Sequence, residues 1–542
     1  MPIEAAMDCD CVIIGSGMGG LTSAVALARA GLRVIVLEQH YLPGGWTHSF
    51  TLDGYSFSPG VHYIGDMGDG GGLAGILQGL GLGRHLAFTE LNPDGIDHVL
   101  VAGERFDIPK GRERYLDRLK ARFPSEAGAI DRYFDVTRRI RNELMVCDEK
   151  LSFPEVLTLP FVAPTLCRWG LLPLSALHRS LIRDPALDDH LAARCGNHGL
   201  APSRVSLPVH AAMTEHYLEG GYYPVGGGRS IASAFIKELR AHGGEIHLRT
   251  RVRTILVERG EAVGVELESG ERIRARHVIS NVDAALTYNQ LLPMGAAPRL
   301  RNKGKRVEPS VSSLSLFAAV DMDLPARGYD SGNYWWFRRP GVGKAYEAMA
   351  QQLPERVDAM FLSVSSLKDP GLSHRGRHTL EMFTFVPYGP FTAWSGTSSN
   401  ERGREYEAMK TRLENAMLDA AERIIPGMKS RLVFHTLGTP LTNDFYCATM
   451  QGGCYGIAKT PWQVGPGSFS TRTPIRGLHL CGASTLGHGV TTCALSGLMV
   501  AKQVLGLARM TDCLSPGGHP VTIIPADSPA PLELPATAAH AR

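Results

Sequence analysis

The run VIIGSGMGGLTSAVALARAGLRVIVLEQ, residues 12–39, leaves few folds open. An apolar strand leads into Gly15-x-Gly17-x-x-Gly20. Ala24, Leu27 and Gly31 then come at the spacing of a helix lying on a sheet, and Val34, Ile35 and Val36 form a second strand that Glu38 ends. Glycine is frequent here, 61 of 542 residues, so three glycines alone carry little weight. Their place at a strand-to-helix junction, with an acid after the next strand, is what marks a βαβ nucleotide-binding turn. Gly15 permits the tight turn, Gly17 lets backbone approach a pyrophosphate, and Gly20 lets helix pack on strand. Ser16, Met18 and Gly19 complete a loop whose N–H groups suit an anion. Glu38, with Gln39 next to it, accepts from the hydroxyls of an adenosine ribose and repels a 2′-phosphate, which excludes NADP. By itself the stretch fits a nicotinamide that comes and goes or a flavin that stays.

The length suits two or three domains, and 44% apolar residues supply a large core. Lys plus Arg (56) nearly balance Asp plus Glu (53), with no long basic run, so no nucleic-acid partner is expected and small or lipidic ones are. Ten scattered cysteines without a C-x-x-C pair read as reduced, buried thiols. The amino terminus has neither a basic start nor an apolar stretch, so no secretory signal is expected and the setting reads as cytoplasmic. Residues 477–501 contain no Asp, Glu, Lys or Arg, yet five glycines, two histidines and many hydroxyls suit a buried cofactor-binding segment better than hydrocarbon. Residues 156–167 and the adjoining WGLLPLSALH are too short and too broken by proline to span a bilayer, although together they suit peripheral contact with the inner face of one.

Along the chain, a loop rich in Gly and Tyr occupies 42–72 and a mostly helical insertion 110–218. GGYYPVGGGRS (220–230) leads into a helix and then a β-meander. Residues 305–440 mix strands (SVSSLSLFAAVDM, HTLEMFTFV) with a long helix from Gly403, and a last helix covers about 490–508. The expected fold class is α/β: a Rossmann-like dinucleotide domain from 1–105, 222–300 and 441–512, an α+β substrate domain from 106–221 and 301–440 with the helical insertion, and a disordered Pro/Ala-rich tail, 513–542.

The residues beyond Glu38 separate the two cofactors. The doublet Gly44-Gly45, then Trp46, then Pro59-Gly60-Val61-His62-Tyr63 resemble the FAD-containing amine oxidase and phytoene desaturase superfamily. The resemblance implies resident FAD, with the doublet letting backbone run along the pyrophosphate and ribityl chain; a plain glycine turn is the alternative. Gly482-Ala483-Ser484-Thr485 and Gly487-His488-Gly489-Val490 resemble the segment that sets a helix N-terminus against the flavin pyrimidine edge. Many members carry an acid where Ala483-Ser484 stands here, while carotenoid desaturases have a similar Gly-Ala-Ser-Thr. Val252 falls where relatives read the adenine through backbone, or is simply a core valine.

Within that superfamily the chain is most similar to the retinol saturase (all-trans-retinol 13,14-reductase) family, with carotenoid isomerases and phytoene desaturases next. The similarity lies in VLEQH, GGWTHSF, GVHYIG, LPFVAPTLCRWGLLPLS, HYLEGGYYPVGGG, VISNVDAALTYNQLLP and GGCYGI. Trp46 stands where saturases have cysteine and many desaturases arginine. The resemblance implies an FAD oxidoreductase acting on carbon–carbon double bonds of an apolar polyene or isoprenoid, with saturation, desaturation and cis/trans isomerisation all open. PGVGKAYE and GLGLGRH lack a preceding strand and a downstream acid, so no second nucleotide turn is expected and an external electron donor or acceptor is. For proton transfer the candidates are His62, Tyr63, Tyr222, Tyr223 and His488, whose motifs should border the ring; packing roles are the alternative for each. His210 and His216, six apart, do not share a helical face, and no metal is assigned. A lipid-binding escort on the same fold would show an eroded glycine turn, which this one does not, and an amine oxidase would want a Gly-Gly-Glu-like carboxy-terminal segment, which is absent.

Overall fold

The computed structural model describes residues 7–68, 70–146, 153–398 and 401–526. The first turn sits where three parallel strands end together. Strand β1 (Cys9–Ile14) leads into helix α1 (Met18–Arg29) and returns as β2 (Val34–Leu37), parallel to β1 with Ile14 opposite Leu37. On its other side β1 pairs in parallel with Arg272–Ser280, which pairs in parallel with Leu478–Leu480. These strands are apolar on both faces because both are covered. Ile13 and Val36 pack with α1, Gly228–Ala241 and Val490–Leu505, while Val12, Ile14 and Leu37 pack with the antiparallel strands Val252–Glu258 and Glu261–Leu267. As a result Gly15, Asn281 and Gly482 meet at one crevice across more than 450 residues of chain, and ligands bind at such strand ends. Asn281 N–H donates to Ile14 O and Cys481 N–H to Ser280 O, each at 2.9 Å.

A second sheet runs Leu432–Gly438, Ser312–Val320, His378–Val386, Ala359–Val364, Asn333–Phe337, Asp97–Val101, Glu104–Ile108. Its side chains alternate as a pleated strand requires. Leu314, Leu316, Met360, Leu362 and Met382 bury against helix Gly403–Ile424, while Ser313, Ser315, Phe361, Phe383 and Phe385 line an internal cavity. Helices between Arg112–Arg122 and Leu207–Leu218 cover the rest of that side, including Ala127–Val146, Phe153–Val162 and Pro164–Trp169. Among the described residues no helix is long and apolar enough to cross a membrane.

Four expectations change. The 42–72 loop contains a hairpin, Phe50–Leu52 with Tyr55–Phe57, turned by Asp53 (φ 50°) and Gly54 (φ 83°), an Asp-Gly turn that favours two positive φ angles. Residues 97–108, placed by the sequence partly in the first unit, belong to the second sheet because Asp97–Val101 pairs in parallel with Asn333–Phe337. The start of the expected disordered tail is ordered: Thr522–Ile524 pairs with Ala87–Glu90, and Val521 and Ile523 pack on the core, so a short β-branched run outweighs its Pro/Ala-rich surroundings. Residues 527–542 of that tail, residues 1–6 and Cys147 lie outside the described residues. Cys167 is exposed rather than buried.

Candidate cofactor and substrate site

The crevice opens into a cavity of about 1940 Å³. Single small ligands occupy pockets of roughly 300–1000 Å³, so this one has room for a dinucleotide and a second molecule beside it. At one end Glu38, a buried carboxylate, gathers three donors: Ser16 N–H (2.9 Å), Ser16 Oγ–H (2.6 Å) and His40 N–H (2.9 Å). Ser16 Oγ in turn accepts from Gly44 N–H at 3.0 Å, which ties the Gly44-Gly45 turn to the first glycine loop. Gly44 and Gly45 have φ of 112° and 56°, and a Cβ on Gly45 would sit 3.4 Å from Gly17 Cα. Gly15, Ser16, Gly17, Met18, Glu38, Gln39, Gly44, Gly45, Trp46 and Val252 all line the cavity. Gly19 and Gly20 do not. They serve packing, since a Cβ on Gly20 would lie 2.3 Å from Gly15 O and one on Gly19 2.7 Å from Gly482 N.

Gly482, Ala483, His488, Gly489 and Val490 form the opposite wall. Helix Val490–Leu505 starts at Gly489 (φ 87°), and α1 starts at Gly17. Both N-caps are glycines and neither first turn holds an acid; Asn281 Oδ1 takes the Gly20 N–H of α1, and the N–H groups ahead of it, like those after Gly489, suit an anion in the crevice. Lys459, buried beside them, donates to Ala483 O at 2.5 Å, and burial pushes its pKa down to about 8.

The five proton-transfer candidates separate. Tyr222 and Tyr223 are buried off the cavity: Tyr222 donates to Glu219 O (3.2 Å) and Tyr223 to Ser58 Oγ (3.4 Å), because the short strand Tyr222–Pro224 pairs with Ala87–Glu90 and turns both rings into the core. Tyr63 lines the cavity, but its hydroxyl donates to buried Asp97 (3.3 Å) and accepts from Asn197 (3.2 Å), its ring stacks on Tyr217, and burial holds its pKa well above 10. His488 lines the cavity with Nε2–H on Asn197 O at 2.7 Å; burial, then nearby Lys459, pushes its pKa down to about 3, so it stays neutral. His62 lines the cavity between Phe361 and Phe383, with Nδ1 3.0 Å from Glu381 Oε2. His210 faces Cys195 Sγ, and His216 bonds Asp66. The helix after PGVG has its start taken by Asp189, which accepts from Gly341 and Val342 N–H.

Three residues were not singled out by the sequence, although Asn281 lies within the quoted run VISNVDAALTYNQLLP. Asn281 accepts from Gly20 N–H (3.0 Å), lines the cavity and wedges between both glycine loops; its signal was the polar residue closing the apolar strand HVISN. Glu381 is the lone charge in the apolar run TLEMFTFV, a pattern that marks a buried carboxylate with a dedicated partner. His198, fully buried on the cavity wall, leaves both ring nitrogens without partners among the described residues and packs beside His488. Nothing in its sequence neighbourhood singled it out.

The residues present fit a flavin dinucleotide. A satisfied acid stands at the ribose end, two helix starts with glycine N-caps face the middle, glycine backbone forms the floor, and the buried Trp46 Nε1–H and His488 Nδ1 have no partner among the described residues. The model of flavin containing amine oxidoreductases matches residues 18–505. All-trans-retinol 13,14-reductase of Rattus norvegicus is 30% identical over 517 residues, 90% of this chain and 84% of that protein. Chloroplastic prolycopene isomerase of Daucus carota is 29% identical over 523 residues, 93% and 82% of the two chains. Among solved structures, cyclohexylamine oxidase from Brevibacterium oxydans aligns with a TM-score of 0.60 at 19% identity, over 92% of this chain and all (100%) of that one. An oxidoreductase from Methanosarcina mazei aligns at 0.59 and 20%, over 91% and 100%, and both show the shared fold. The chain belongs to the flavin containing amine oxidoreductase family and is an FAD-dependent oxidoreductase.

Proposed function

We propose that the protein reduces a carbon–carbon double bond in an apolar polyene or isoprenoid lipid of retinoid or carotenoid type, in the manner of a saturase. The observation that carries this reading is the continuity of the cavity. It runs from the two glycine loops past Phe361, Phe383, Phe385 and Tyr455 to Leu144, Met145, Leu166 and Leu171, a wall suited to a long apolar chain. The similarity to all-trans-retinol 13,14-reductases, and the contiguous packing of Phe361, Phe383, Phe385 and Tyr455 along that wall, point the same way.

When bound, FAD supplies the hydride chemistry. The protein would hold it by Glu38 at the ribose, by the N–H groups at Gly17 and Gly489 along the phosphates and pyrimidine edge, and by Gly44-Gly45 beneath the ribityl chain. The aromatic wall excludes water and orders the polyene, and electrons come from an external donor. The division into a discontinuous cofactor domain and a substrate domain belongs to the same proposal.

Exposed Met145 (74%) and Leu171 (57%) line the cavity's far end, and the helix that contributes Leu159 to that lining exposes Phe161 (86%) and Val162 (56%), with Arg138, Arg139 and Arg168 close by in sequence. This collar supports peripheral seating on the inner, anionic face of a membrane, from which an apolar substrate enters. The relatedness to prolycopene isomerases favours one second reading, isomerisation or desaturation on the same flavin. Purified protein should carry flavin that, once reduced anaerobically, is reoxidised by a polyene, while its oxidised flavin is not reduced by primary amines. Flavin that primary amines reduce and no polyene reoxidises, or protein free of flavin, contradicts the proposal.

A further inference from the structure

We propose that Glu381 is the positioning residue that makes His62 the proton-transfer group of the cavity, holding Nδ1–H on its carboxylate so that Nε2 gives or takes a proton at the substrate bond. The proposal rests on the double-bond chemistry above.

The geometry carries it. Glu381 is fully buried, and its two oxygens have separate duties: Oε1 accepts Ser58 N–H at 2.6 Å and Oε2 faces His62 Nδ1 at 3.0 Å. A carboxylate can only accept, so the ring must present Nδ1–H to it, and Nε2 becomes the free position. Nε2 has no partner among the described residues, and His62 forms part of the wall that holds Phe361 and Phe383. The ring's backbone is fixed as well, because buried Lys368 donates to His62 O at 2.7 Å and is itself held by Ser363 Oγ at 2.7 Å. Of the five residues the sequence nominated, only His62 combines access to the cavity, an unspent ring nitrogen and a carboxylate behind it.

The chemistry balances. Saturation adds a hydride to one carbon and a proton to its neighbour; bound FAD, recharged by the external donor, would supply the hydride, and the proton comes from His62 Nε2–H. The ring is left as the neutral Nδ1–H tautomer, still bonded to Glu381, and regains its proton from water. In desaturation the same nitrogen accepts the proton. Positioned acid–base groups contribute roughly 10²–10⁴-fold.

The test uses flavin-loaded protein. His62→Gln should lower kcat for polyene reduction about 100-fold or more, with KM, flavin content and anaerobic flavin reduction by dithionite unchanged. Glu381→Gln should reproduce most of that loss, and Glu381→Asp, which keeps the carboxylate, should recover part of it. Independently of turnover, nitrogen-15 imidazole spectra should show His62 as the Nδ1–H tautomer in the wild type and not in Glu381→Gln. Full activity in His62→Gln, or an Nε2–H tautomer in the wild type, overturns the proposal. If the wild type reduces no polyene, the parent reading fails, and the pair is then judged by the tautomer alone. If Glu381→Gln does not fold, the His62→Gln kinetics and the wild-type tautomer decide.

Discussion

One carboxylate oxygen of Glu38 accepts both the N–H and the hydroxyl of Ser16, at 2.9 and 2.6 Å, and Ser16 Oγ passes the connection on to Gly44. The acid that ends β2 therefore braces both glycine loops as well as offering itself to a ribose. Hydrogen bonds to charged groups contribute about 1.5–3 kcal/mol each. Ser16→Ala should raise the dissociation constant for FAD at least about tenfold, and Glu38→Ala more, measured by fluorescence of released flavin. Unchanged retention in both would separate this contact from cofactor binding.

Gly497, nearly 480 residues from the first loop, should matter to it almost as much. A Cβ there would lie 2.3 Å from Gly19 O, a backbone atom in α1 that cannot turn aside. Gly497→Ala should force the two helices apart, cost roughly 1–3 kcal/mol as overpacking does, and lower the melting temperature and flavin occupancy together. A variant that melts as wild type would show that the helices separate freely.

Lys368 predicts a pH effect. Its burial lowers the pKa from 10.5 to about 7, whereas in the unfolded chain the amine keeps its proton to above pH 10. Between those limits the unfolded state binds the extra proton, so this group's contribution rises with pH, by at most about 1.4 kcal/mol per unit. Below pH 7 both states are protonated and that gain is gone. Lys368→Met should therefore flatten the rise in melting temperature from pH 7 to 10 relative to wild type, whatever its absolute stability. Parallel curves would place the lysine's charge elsewhere.

The apolar collar gives a prediction for lipid. Met145→Glu with Phe161→Glu should reduce sedimentation with vesicles containing anionic phospholipid several-fold while flavin content stays unchanged, because both side chains are exposed and neither is among the residues that would hold FAD. Equal sedimentation of variant and wild type would remove the collar from membrane contact.

The dinucleotide end was legible because its information is local: strand, glycines, helix and acid lie within 30 residues, and the Gly44 doublet comes soon after. The wall opposite was readable only through resemblance, since GHGV acquires meaning when Leu478–Leu480 pairs with Arg272–Ser280, the strand that also pairs with β1. The proton-transfer residues were the least legible. Tyr222 and Tyr223 look like His62 in sequence, aromatic or imidazole rings beside glycine turns, and only tertiary packing decides which ring reaches the cavity. Glu381 and Asn281 act at positions 319 and 261 residues from their partners His62 and Gly20, distances no local pattern spans.

The most direct measurement of the central claim is the mass and double-bond count of the product when flavin-loaded protein, an anaerobic reductant and a panel of retinoids, carotenoids and unsaturated fatty acids are combined. A product that has gained two hydrogens and lost one double bond of its polyene is the predicted result. An isomer of unchanged mass, or a substrate recovered intact while the flavin stays reduced, would contradict a saturase.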